Sequence, residues 1–573
     1  MVFLPPPSVP KLPFDPPDSI TIPEFVFSDK YGRKPLARSR KPYTCGITGK
    51  SYTVSEVEER EKLLARALAK RLGYDLADHT EWDRVLALYS LNTIDYIPLT
   101  HAVHRLSGIV TPASAAYSAQ ELQHQLVSSG ANALFTCVPL LDNALVAAKG
   151  ADRIFLLPIP GFEAKAPFKT IDDLIAEGKD APELKPLNWV NGQGARQVAY
   201  LCYSSGTSGL PKAVQISHRN VIANIIQMTI QDGVGRKAAG VDTQVQLGLL
   251  PLSHIYGLVP VAHYGLYNGD ETIILPRFEL KMLLSAIQRF KIEQMALVPP
   301  IMIHMLSSQA ECAKYDISSV RFIFSGAAPL GKETMEDLWK VWPSWRICQG
   351  YGLTETSPVV TATSELDIDA GTSGTLLPGL KAKIIDTDGS EITEYNKPGE
   401  LLVQGPTIVL GYLNNAKATA ETFVHHEDGR WMRTGDEVLV RKSPKGNEHF
   451  VIVDRIKELI KVKGHQVAPA ELEDHLLSHS LVSDCAVIQV PDLRAGEVPK
   501  AFVVKAPQAK GKSDDEVKES INKYVEEHKA KHKWLKGGIE FIDVIPKSPS
   551  GKILRRLLRD REKQARKEKG AKL

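Results

Sequence analysis

A ten-residue segment between two apolar runs most constrains how this chain can fold. Residues 203–212 read Tyr-Ser-Ser-Gly-Thr-Ser-Gly-Leu-Pro-Lys, which concentrates hydroxyl groups, two glycines and a lysine. The apolar and aromatic residues 198–203 predict a buried strand, and the run that begins at Ser217 predicts an amphipathic helix with Ser217 as its N-cap. A strand, a glycine-rich loop and a helix in succession favour phosphate binding, because glycine lets backbone N–H groups approach an anion closely.

The candidate phosphate ligands of this loop are hydroxyl groups, backbone N–H groups and one ammonium group. They belong to Ser204, Ser205, Gly206, Thr207, Ser208, Gly209 and Lys212. The spacing differs from the Walker A pattern, because Pro211 stands where the second glycine of that pattern would be. The alternative, a flexible Ser/Gly linker, leaves the Pro-Lys ending and the flanking strand and helix unexplained.

The composition is that of a soluble globular protein, with 43% hydrophobic and 24% charged residues. A length of 573 residues predicts about three or four structural units. The formal net charge of +3 is close to balance, which argues against nucleic acid as a partner. No apolar run approaches the ~20 residues that a membrane span requires.

The cysteines and the final residues bear on the compartment. Six cysteines are scattered without CxxC spacing, which indicates reduced thiols and no metal site. The sequence finishes Ala571-Lys572-Leu573, close to the Ser-Lys-Leu address that the peroxisomal import receptor reads. We therefore expect this receptor as a partner and a peroxisomal location, with the cytoplasm as the alternative.

Alternating strand and helix patterns predict an α/β fold. A capping box of Thr53 and Glu56 and a stop at Gly73 predict the first long helix. Further patterns predict strands at 85–89, 109–110, 133–138, 244–250, 294–298 and 320–324, and helices at 96–106 and 119–128. Such alternation indicates parallel sheets covered by helices, here in two α/β subdomains.

Two further regions complete the predicted organisation. Short runs with turn residues between 371 and 431 predict a β-rich subdomain, which completes a large domain of residues 1–454. Residues 455–573 predict a small α+β domain, called the lid domain below. Its predicted elements are helices at 470–477 and 515–529 and strands at 482–490 and 501–504.

Several clusters downstream of the loop are consistent with a bound nucleoside triphosphate. In residues 349–355, Tyr351 can stack on a base, Thr354 can donate to a phosphate and Glu355 offers oxygen to Mg²⁺. Asp436 can accept hydrogen bonds from two ribose hydroxyls, and Arg455 can add a planar donor to the same sugar. Taken singly, each of these patterns is also compatible with a buried turn or a surface salt bridge.

Lysines cluster at the predicted domain boundary and near the end of the chain. Lys457, Lys461 and Lys463 follow the boundary, and Lys552 follows the turn Pro549-Ser550-Gly551. A lone exposed lysine is by default a solvated charge. A lysine presented by a Pro-Ser-Gly turn is better placed to enter a site.

Together these motifs resemble the adenylate-forming superfamily of acyl-CoA synthetases, adenylation domains and beetle luciferases. The resemblance rests on the loop at 204–212, on Gly-Tyr-Gly-Leu-Thr-Glu at 350–355, on Arg-Thr-Gly-Asp at 433–436, and on residues 454–473 and 546–556. Within the superfamily the chain is similar to the 4-coumarate:CoA ligase branch. Residues 43–49 and 534–538 resemble fungal phenylacetyl-CoA ligases most closely.

The resemblance implies a two-step reaction with Mg²⁺, ATP and CoA. The acid attacks the α-phosphorus of ATP, pyrophosphate leaves, and the thiol of CoA then attacks the acyl-AMP. Lys552 and His254 are implied in catalysis, and Thr354 and Glu355 at the phosphates and Mg²⁺. The other residues implied at ATP or AMP are Ala328, Gln349, Gly350, Tyr351, Asp436, Arg455, Lys461 and Gln466.

The resemblance also implies a moving lid and an acyl pocket. The lid domain would rotate about Lys457 and bring Lys463 and Gly464 to the CoA face. The pocket would be lined by Tyr256, Pro260, Phe324, Ala327, Gly352, Pro358 and Val359. Plant coumarate ligases usually carry lysine where Phe324 stands, and some carry serine at Pro260. The chain lacks both polar groups, so an arylacetic or medium-chain acid fits better than a hydroxycinnamate.

The sequence thus predicts an AMP-forming acid–thiol ligase that acts on a phenylacetate-like, cinnamic-type or medium-chain acid. One alternative is a stand-alone adenylating enzyme that loads a carrier protein. Another is a nucleotide-binding protein without catalysis, against which the presence of Lys552 argues. A departure from the family pattern is Ala213, where glycine usually follows the loop lysine.

Overall fold

A computed structural model describes residues 1–74, 76, 80–148, 153–162, 167–204, 211–463, 465–492, 494–548 and 551–570. The predicted phosphate ligands Ser205 to Gly209, the predicted CoA-face residue Gly464 and the tripeptide 571–573 lie outside the described residues. Among the helices that the structure describes, none combines the length and the apolar composition needed to cross a membrane.

One sheet of the large domain is mostly parallel and contains the strands that lead into residues 324 and 349–352. Parallel neighbours place Ala296 beside Phe324 and Phe324 beside Cys348, because helices cross back over the sheet between consecutive strands. In spatial order the strands are Thr375–Leu376, Val359–Ala362, Arg346–Gly352, Phe322–Ser325, Gln294–Leu297, Val245–Gly248, Glu271–Ile274, Tyr43–Cys45 and Ser51–Tyr52.

A second sheet of the large domain contains the strand that leads into the glycine-rich loop. In spatial order its strands are Gly411–Tyr412, Lys212–Ser217, Val198–Ser204, Ile109–Ala113, Val85–Tyr89, Ala133–Thr136, Ile154–Leu156 and Lys169–Thr170. Its central strands are parallel and buried. The two sheets are the two predicted α/β subdomains.

Helices cover the two sheets of the large domain, and further helices belong to the lid domain. They are Ile22–Val26, Val54–Leu72, Tyr96–His104, Ala119–Ser129, Leu141–Ala148, Ile171–Lys179, Gln193–Arg196, His218–Ala238, Tyr264–Asn268, Leu280–Phe290, Pro299–Ser307, Gln309–Cys312, Lys332–Val341, Ala416–Thr422, Pro469–Leu477, Asp514–His528 and Arg555–Gly570, with a π-helix at Gly257–His263. The predicted capping box is confirmed, since Thr53 accepts from the Glu56 backbone and Gly73 adopts a left-handed φ of 68°.

The segment after the glycine-rich loop differs from the prediction. The strand Lys212–Ser217 pairs antiparallel with Val198–Ser204, so the glycine-rich loop joins two strands of a hairpin. The helix begins only after the second of these strands. The expected strand–loop–helix succession is therefore wrong, because a second strand, in which the buried Val214 and Ile216 flank the half-buried Gln215, lies between the loop and the helix. Ser217 is the N-cap of helix His218–Ala238, as predicted.

That helix is also not amphipathic. Its buried side chains include Val221, Ile222, Ala223, Asn224 and Ile225, which lie on all faces of the helix. A helix that is buried all round packs in the interior of a large domain. Its position between the two sheets and the β-rich subdomain accounts for this burial, since Asn220 donates to Ile408 O at 3.2 Å and Asn224 to Val359 O at 3.0 Å.

The β-rich subdomain and the lid domain each contain a mainly antiparallel sheet. The former has the strands Lys381–Ile385, Gly399–Gln404, Gly429–Lys442, Phe423–His426 and Glu448–Arg455. The latter has His465–Val467, Ile460–Val462, Gly496–Lys505, Val482–Asp492 and Ile539–Phe541. The α/β fold with a large N-terminal and a small C-terminal domain is thus confirmed. The boundary between 454 and 455 stays a prediction, and it falls at the end of strand Glu448–Arg455.

Replacement of the Ser217 cap tests the local origin of the central helix. The Ser217 side chain accepts from the Asn220 backbone, and Asn220 Oδ1 accepts from the Ser217 backbone at 2.9 Å. We expect Ser217→Ala to lower the free energy of unfolding by about 1 kcal/mol, because one orphan N–H loses its partner, and Ser217→Gly to cost less. Urea unfolding measures both effects, and an unchanged Ala variant would contradict this role.

Candidate functional site

Glu355 joins the two α/β sheets at the predicted nucleotide site. Its Oε1 accepts a hydrogen bond from Ser204 Oγ at 3.0 Å and another from Tyr412 Oη at 3.0 Å. The side chain of Lys212 lies over the Tyr412 ring, with Nζ 4.7 Å from its centroid. The glycine-rich hairpin and the buried carboxylate of Glu355 therefore belong to one cluster.

Asp436 forms a second buried acidic position. Tyr351 Oη donates to Asp436 Oδ2 at 2.6 Å, and Arg455 Nε lies 3.4 Å from Oδ1. Strand pairing places Asp436 directly beside Arg455. Burial raises the pKa of Asp436, while the charge of Arg455 and the hydrogen bond from Tyr351 oppose that rise.

Lys552 enters this acidic cluster from the lid domain. Burial and the charge of Arg455 lower its pKa to about 8, against the attraction of Asp436 and Glu355. Gly551, at a left-handed φ of 82°, lies against the large domain, where an added Cβ would be 3.1 Å from Val298 Cγ2. Lys552 thus brings a partly desolvated ammonium group within electrostatic reach of two carboxylates of the large domain, Asp436 and Glu355.

The lid domain also contacts the large domain through helix Pro469–Leu477. Ser478 Oγ donates to Glu333 Oε2 at 2.6 Å, and Asp474 packs so closely on Gly331 that an added Cβ would lie 1.9 Å from its Cγ. Burial and the charge of Glu333 raise the pKa of Asp474 to about 6. These contacts hold the lid domain in the orientation that inserts Lys552.

His254 lies at the edge of the Lys552 cluster as a neutral ring. Burial and the charge of Lys552 lower its pKa to about 4. Its Nδ1 accepts from the Tyr256 backbone N–H at 3.2 Å, which assigns the proton to Nε2. His254 can therefore donate from Nε2 without carrying a charge at neutral pH.

The segment around Gly350 is shaped by close packing. An added Cβ on Gly350 would lie 2.3 Å from Phe324 Cζ, and one on Gly352 would lie 2.0 Å from Pro358 O. Two hydrogen bonds to the Leu330 backbone hold the Gln349 side chain. Its Nε2 donates to Leu330 O at 3.0 Å, and its Oε1 accepts from Leu330 N–H at 3.0 Å. Glycine is thus required where strand Arg346–Gly352 passes Phe324 and Pro358.

The predicted acyl-pocket residues surround the same strand end. Tyr256 Oη donates to Phe324 O at 2.6 Å, and the two rings meet edge to face at 6.1 Å. Pro260, Pro358 and Val359 are buried, whereas Ala327 and Gly352 are exposed. A cavity lies beyond, and Pro260 and Phe324 line it.

Other predicted residues are not part of this cluster. Lys461, Lys463 and Gln466 are exposed on the lid domain, and Lys457 is exposed in the turn after Arg455. Thr354 begins a short 3₁₀ helix and is half-buried, as is Ala328. The structure thus brings a cluster together and leaves Lys457, Lys461, Lys463 and Gln466 apart from it. The cluster consists of Ser204, Lys212, His254, Tyr351, Glu355, Asp436, Arg455 and Lys552.

Two residues of the cluster were missed by sequence reasoning. Tyr412 orders Glu355 although it lies 57 positions away, and no local pattern marks it. Glu458 adds a carboxylate whose charge favours the ammonium form of Lys552, and it pairs with Arg559 at 2.8 Å. Its position among the boundary lysines was the available signal.

Comparison with known proteins identifies the family. Residues 34–413 match the family of AMP-binding enzymes, and residues 471–552 match the C-terminal domain of those enzymes. An acyl-CoA ligase of Alternaria alternata is 41% identical over 98% of this chain and 97% of its own length. An acyl-CoA ligase of Emericella nidulans is 37% identical over 98% of this chain and all of its own length (100%).

A solved structure shares the fold. An anthranilate CoA ligase in complex with anthranoyl-AMP superimposes with a TM-score of 0.80 and 22% identity, over 95% of this chain and 97% of that one. The family match covers both the glycine-rich hairpin and the cluster around Glu355. The chain therefore belongs to the AMP-binding enzymes, the adenylate-forming superfamily.

Proposed function

We propose that the protein is an ATP-dependent acyl-CoA ligase, an AMP-forming acid–thiol ligase that acts on a carboxylic acid with a largely apolar body. The observation that carries this proposal is the half-buried Lys552 of the lid domain, whose ammonium group is attracted by Asp436 and Glu355 of the large domain. Relatives that are acyl-CoA ligases align over nearly the whole chain. A nucleotide-binding protein without chemistry would have no need of an ammonium group withdrawn from water at the nucleotide site.

In the first half-reaction the acid carboxylate attacks the α-phosphorus of ATP, an acyl-AMP forms and pyrophosphate leaves. Negative charge accumulates around that phosphorus as the bond to pyrophosphate breaks. Lys552 is the cation positioned to stabilise this charge and to orient the attacking carboxylate, and Thr354 supplies a hydroxyl donor. Ser204, Lys212 and the intervening loop hold the leaving pyrophosphate.

Asp436 and Tyr351 recognise the nucleoside in this proposal. The Tyr351 hydroxyl is already fixed by Asp436, so its ring has a defined orientation for stacking on adenine. The remaining acceptor positions of the Asp436 carboxylate suit the two ribose hydroxyls. Arg455 favours the ionised form of this carboxylate, against the effect of burial, and adds a planar donor to the sugar.

Glu355 suits Mg²⁺ that arrives with ATP. Both hydrogen bonds described for its carboxylate end on Oε1, and Mg²⁺ prefers oxygen ligands. Within the described residues no group of three or more potential metal ligands is present, so ATP phosphates and water would complete the coordination. When bound, the ion neutralises phosphate charge.

The second half-reaction requires a different lid orientation. Lys461, Lys463 and Gln466 are exposed and lie on the lid domain, and Lys457 follows the last strand of the large domain. Rotation about Lys457 would withdraw Lys552 and bring Lys461 and Gln466 to the adenylate and Lys463 with Gly464 to CoA. The CoA thiol then attacks the acyl carbonyl and AMP leaves.

The acyl pocket favours an acid whose chain next to the carboxylate is apolar. Tyr256, Phe324 and Pro260 offer ring and aliphatic surfaces, and the Tyr256 hydroxyl is already engaged by Phe324 O. A phenylacetate-like, cinnamic-type or medium-chain acid meets this requirement. A phenol hydroxyl at the level of Phe324 would lack a partner there, which would cost binding energy.

Removal of the Lys552 ammonium separates the two half-reactions. We expect Lys552→Ala to reduce acid-dependent ATP–pyrophosphate exchange by about 10²- to 10³-fold, because transition-state charge loses its cation. Conversion of supplied acyl-AMP and CoA to the thioester is expected to continue at close to the wild-type rate.

The matched control for this variant is Lys547→Ala, which removes a nearby lysine that pairs with Asp484 at 2.7 Å. We expect it to retain both half-reactions. Equal loss of the two half-reactions in Lys552→Ala would contradict the division of labour proposed for the lid domain.

The lowered pKa of Lys552 predicts a pH dependence of adenylation. Its cationic form is lost as pH rises through about 8, so kcat/KM for ATP is expected to decline above that pH. In Lys552→Arg the guanidinium stays charged, and the decline is expected to move to higher pH. Pyrophosphate-exchange profiles measure this, and an unchanged descending limb in the Arg variant would refute the assignment.

A further inference from the structure

The cavity beyond Phe324 combines an apolar body with a polar end. Pro260, Phe324, Met228 and Leu377 contribute apolar lining. Gln231 and Glu365 line it as well, from helix His218–Ala238 and from the segment after strand Val359–Ala362. This polar end contrasts with the apolar surfaces at Tyr256 and Phe324.

Gln231 presents an unpartnered acceptor. Its Nε2 donates to the Ala362 carbonyl at 3.1 Å, which fixes the orientation of the amide because only the NH₂ group can donate to that oxygen. The other end, Oε1, is buried without a hydrogen-bond partner. The side chain therefore offers one acceptor whose direction is set by the protein.

Glu365 presents a second unpartnered acceptor. Its side chain is 7% exposed, and Arg321 donates to Oε2. Its Oε1 is buried without a hydrogen-bond partner. The chain packs Glu365 against helix His218–Ala238 at Gly235, where an added Cβ would lie 3.0 Å from Oε1.

Two buried acceptors without donors call for a ligand that donates. Buried polar groups are normally satisfied, and leaving them unpaired is unfavourable. A hydrogen-bond donor at the distal end of the acid would satisfy one of these two acceptors, the Oε1 atom of Gln231 or that of Glu365. The lack of polar groups at Phe324 and Pro260 is compatible with this, because the donor is needed deeper in the pocket.

The charges around the polar end favour a neutral donor. Glu365 is paired with Arg321, and Asp270 is paired with Arg236 at 2.7 Å. Asp232 accepts from Tyr264 and lies 3.9 Å from Arg236. Because guanidinium groups already face these carboxylates, a hydroxyl group fits the site better than an ammonium group.

The register of the lining strand sets the length of the acid. Val359 pairs with Gly352 near the proposed reaction centre, and Thr363 lines the cavity. Four residues of extended strand span about 13 Å, which an extended alkyl chain crosses in about ten to twelve bonds. The chain that reaches the acceptors is thus of medium length.

We propose that the acid activated by this enzyme is a medium-chain carboxylic acid that carries a hydroxyl group at or near its distal end. The hydroxyl donates its one proton to Gln231 Oε1 or to Glu365 Oε1, while the aliphatic chain packs against Pro260 and Phe324. This inference rests on the proposed ligase function and names its substrate class.

CoA-dependent AMP release with a panel of acids tests it. The test acid of the panel is ω-hydroxydecanoic acid. Its controls are decanoic acid, which lacks the hydroxyl, and undecanoic acid, which has a methyl group in its place. The panel also contains ω-aminodecanoic, phenylacetic, cinnamic and benzoic acids. We expect kcat/KM for the hydroxy acid to exceed that for decanoic and undecanoic acids at least about tenfold, because only it satisfies a buried acceptor.

Cavity variants test the residues that read the hydroxyl. Gln231→Leu removes one acceptor. Glu365→Gln replaces the acceptor Oε1 with an NH₂ group, which donates, and keeps an oxygen that accepts from Arg321. The ratio of kcat/KM between hydroxydecanoic and decanoic acids is expected to fall toward one in the variant that removes the acceptor of the hydroxyl proton. Met228→Leu changes the apolar lining alone and is expected to keep the wild-type ratio.

The outcomes are distinguishable. The hydroxy-acid inference would be overturned, and the ligase function would stand, in any of three cases. The enzyme uses decanoic or undecanoic acid as well as or better than the hydroxy acid, it prefers ω-aminodecanoic acid, or it turns over only the aromatic acids. An unchanged ratio in both cavity variants would also overturn it. If no acid on the panel supports AMP release, both the inference and the proposed function fail.

Discussion

The position of the half-buried Lys552 ammonium group near Asp436 and Glu355 depends on contacts between two domains. Removing a cation from water is unfavourable unless anions compensate it, and burial and the charge of Arg455 lower the pKa of Lys552 to about 8 despite the attraction of the two carboxylates. A triphosphate and an acid carboxylate would supply further negative charge. The site is therefore arranged for anionic substrates, and the lid contacts at Gly331 and Glu333 hold the cation where those anions would bind.

The same strand end connects the phosphate site to the acyl pocket. Gly350 and Gly352 allow the chain to pass Phe324 and Pro358 closely, so Tyr351 faces Asp436 while Phe324 lines the cavity. In the proposed function, nucleotide recognition and acid recognition thus share one backbone segment. Enzymes with this fold can therefore change their acid specificity through the residues that line the cavity, while the cluster around Glu355 stays intact.

Local signals predicted much of the fold, and long-range contacts did not emerge from them. The capping box at Thr53 and strand Val85–Tyr89 follow from short patterns. The hairpin strand Lys212–Ser217 was missed because its short alternation lies beside a loop rich in phosphate-binding residue types. Tyr412, Gln231 and Glu365 were missed because their roles depend on partners brought close by tertiary packing.

The central claim is that the described lid orientation is the adenylating one, and a disulfide across the lid contact tests it most directly. A Cβ on Gly331 would lie 1.9 Å from Asp474 Cγ and therefore at most about 3.4 Å from Asp474 Cβ, so Gly331→Cys with Asp474→Cys forms a disulfide, which needs about 3.5–4.5 Å between Cβ atoms, once the lid helix shifts outward slightly. Single-turnover assays of the oxidised double variant are predicted to form acyl-AMP but not thioester until reductant is added, with Asp474→Cys alone as the control. The account would be contradicted if the oxidised enzyme formed thioester as fast as the enzyme treated with reductant, or if it no longer formed acyl-AMP.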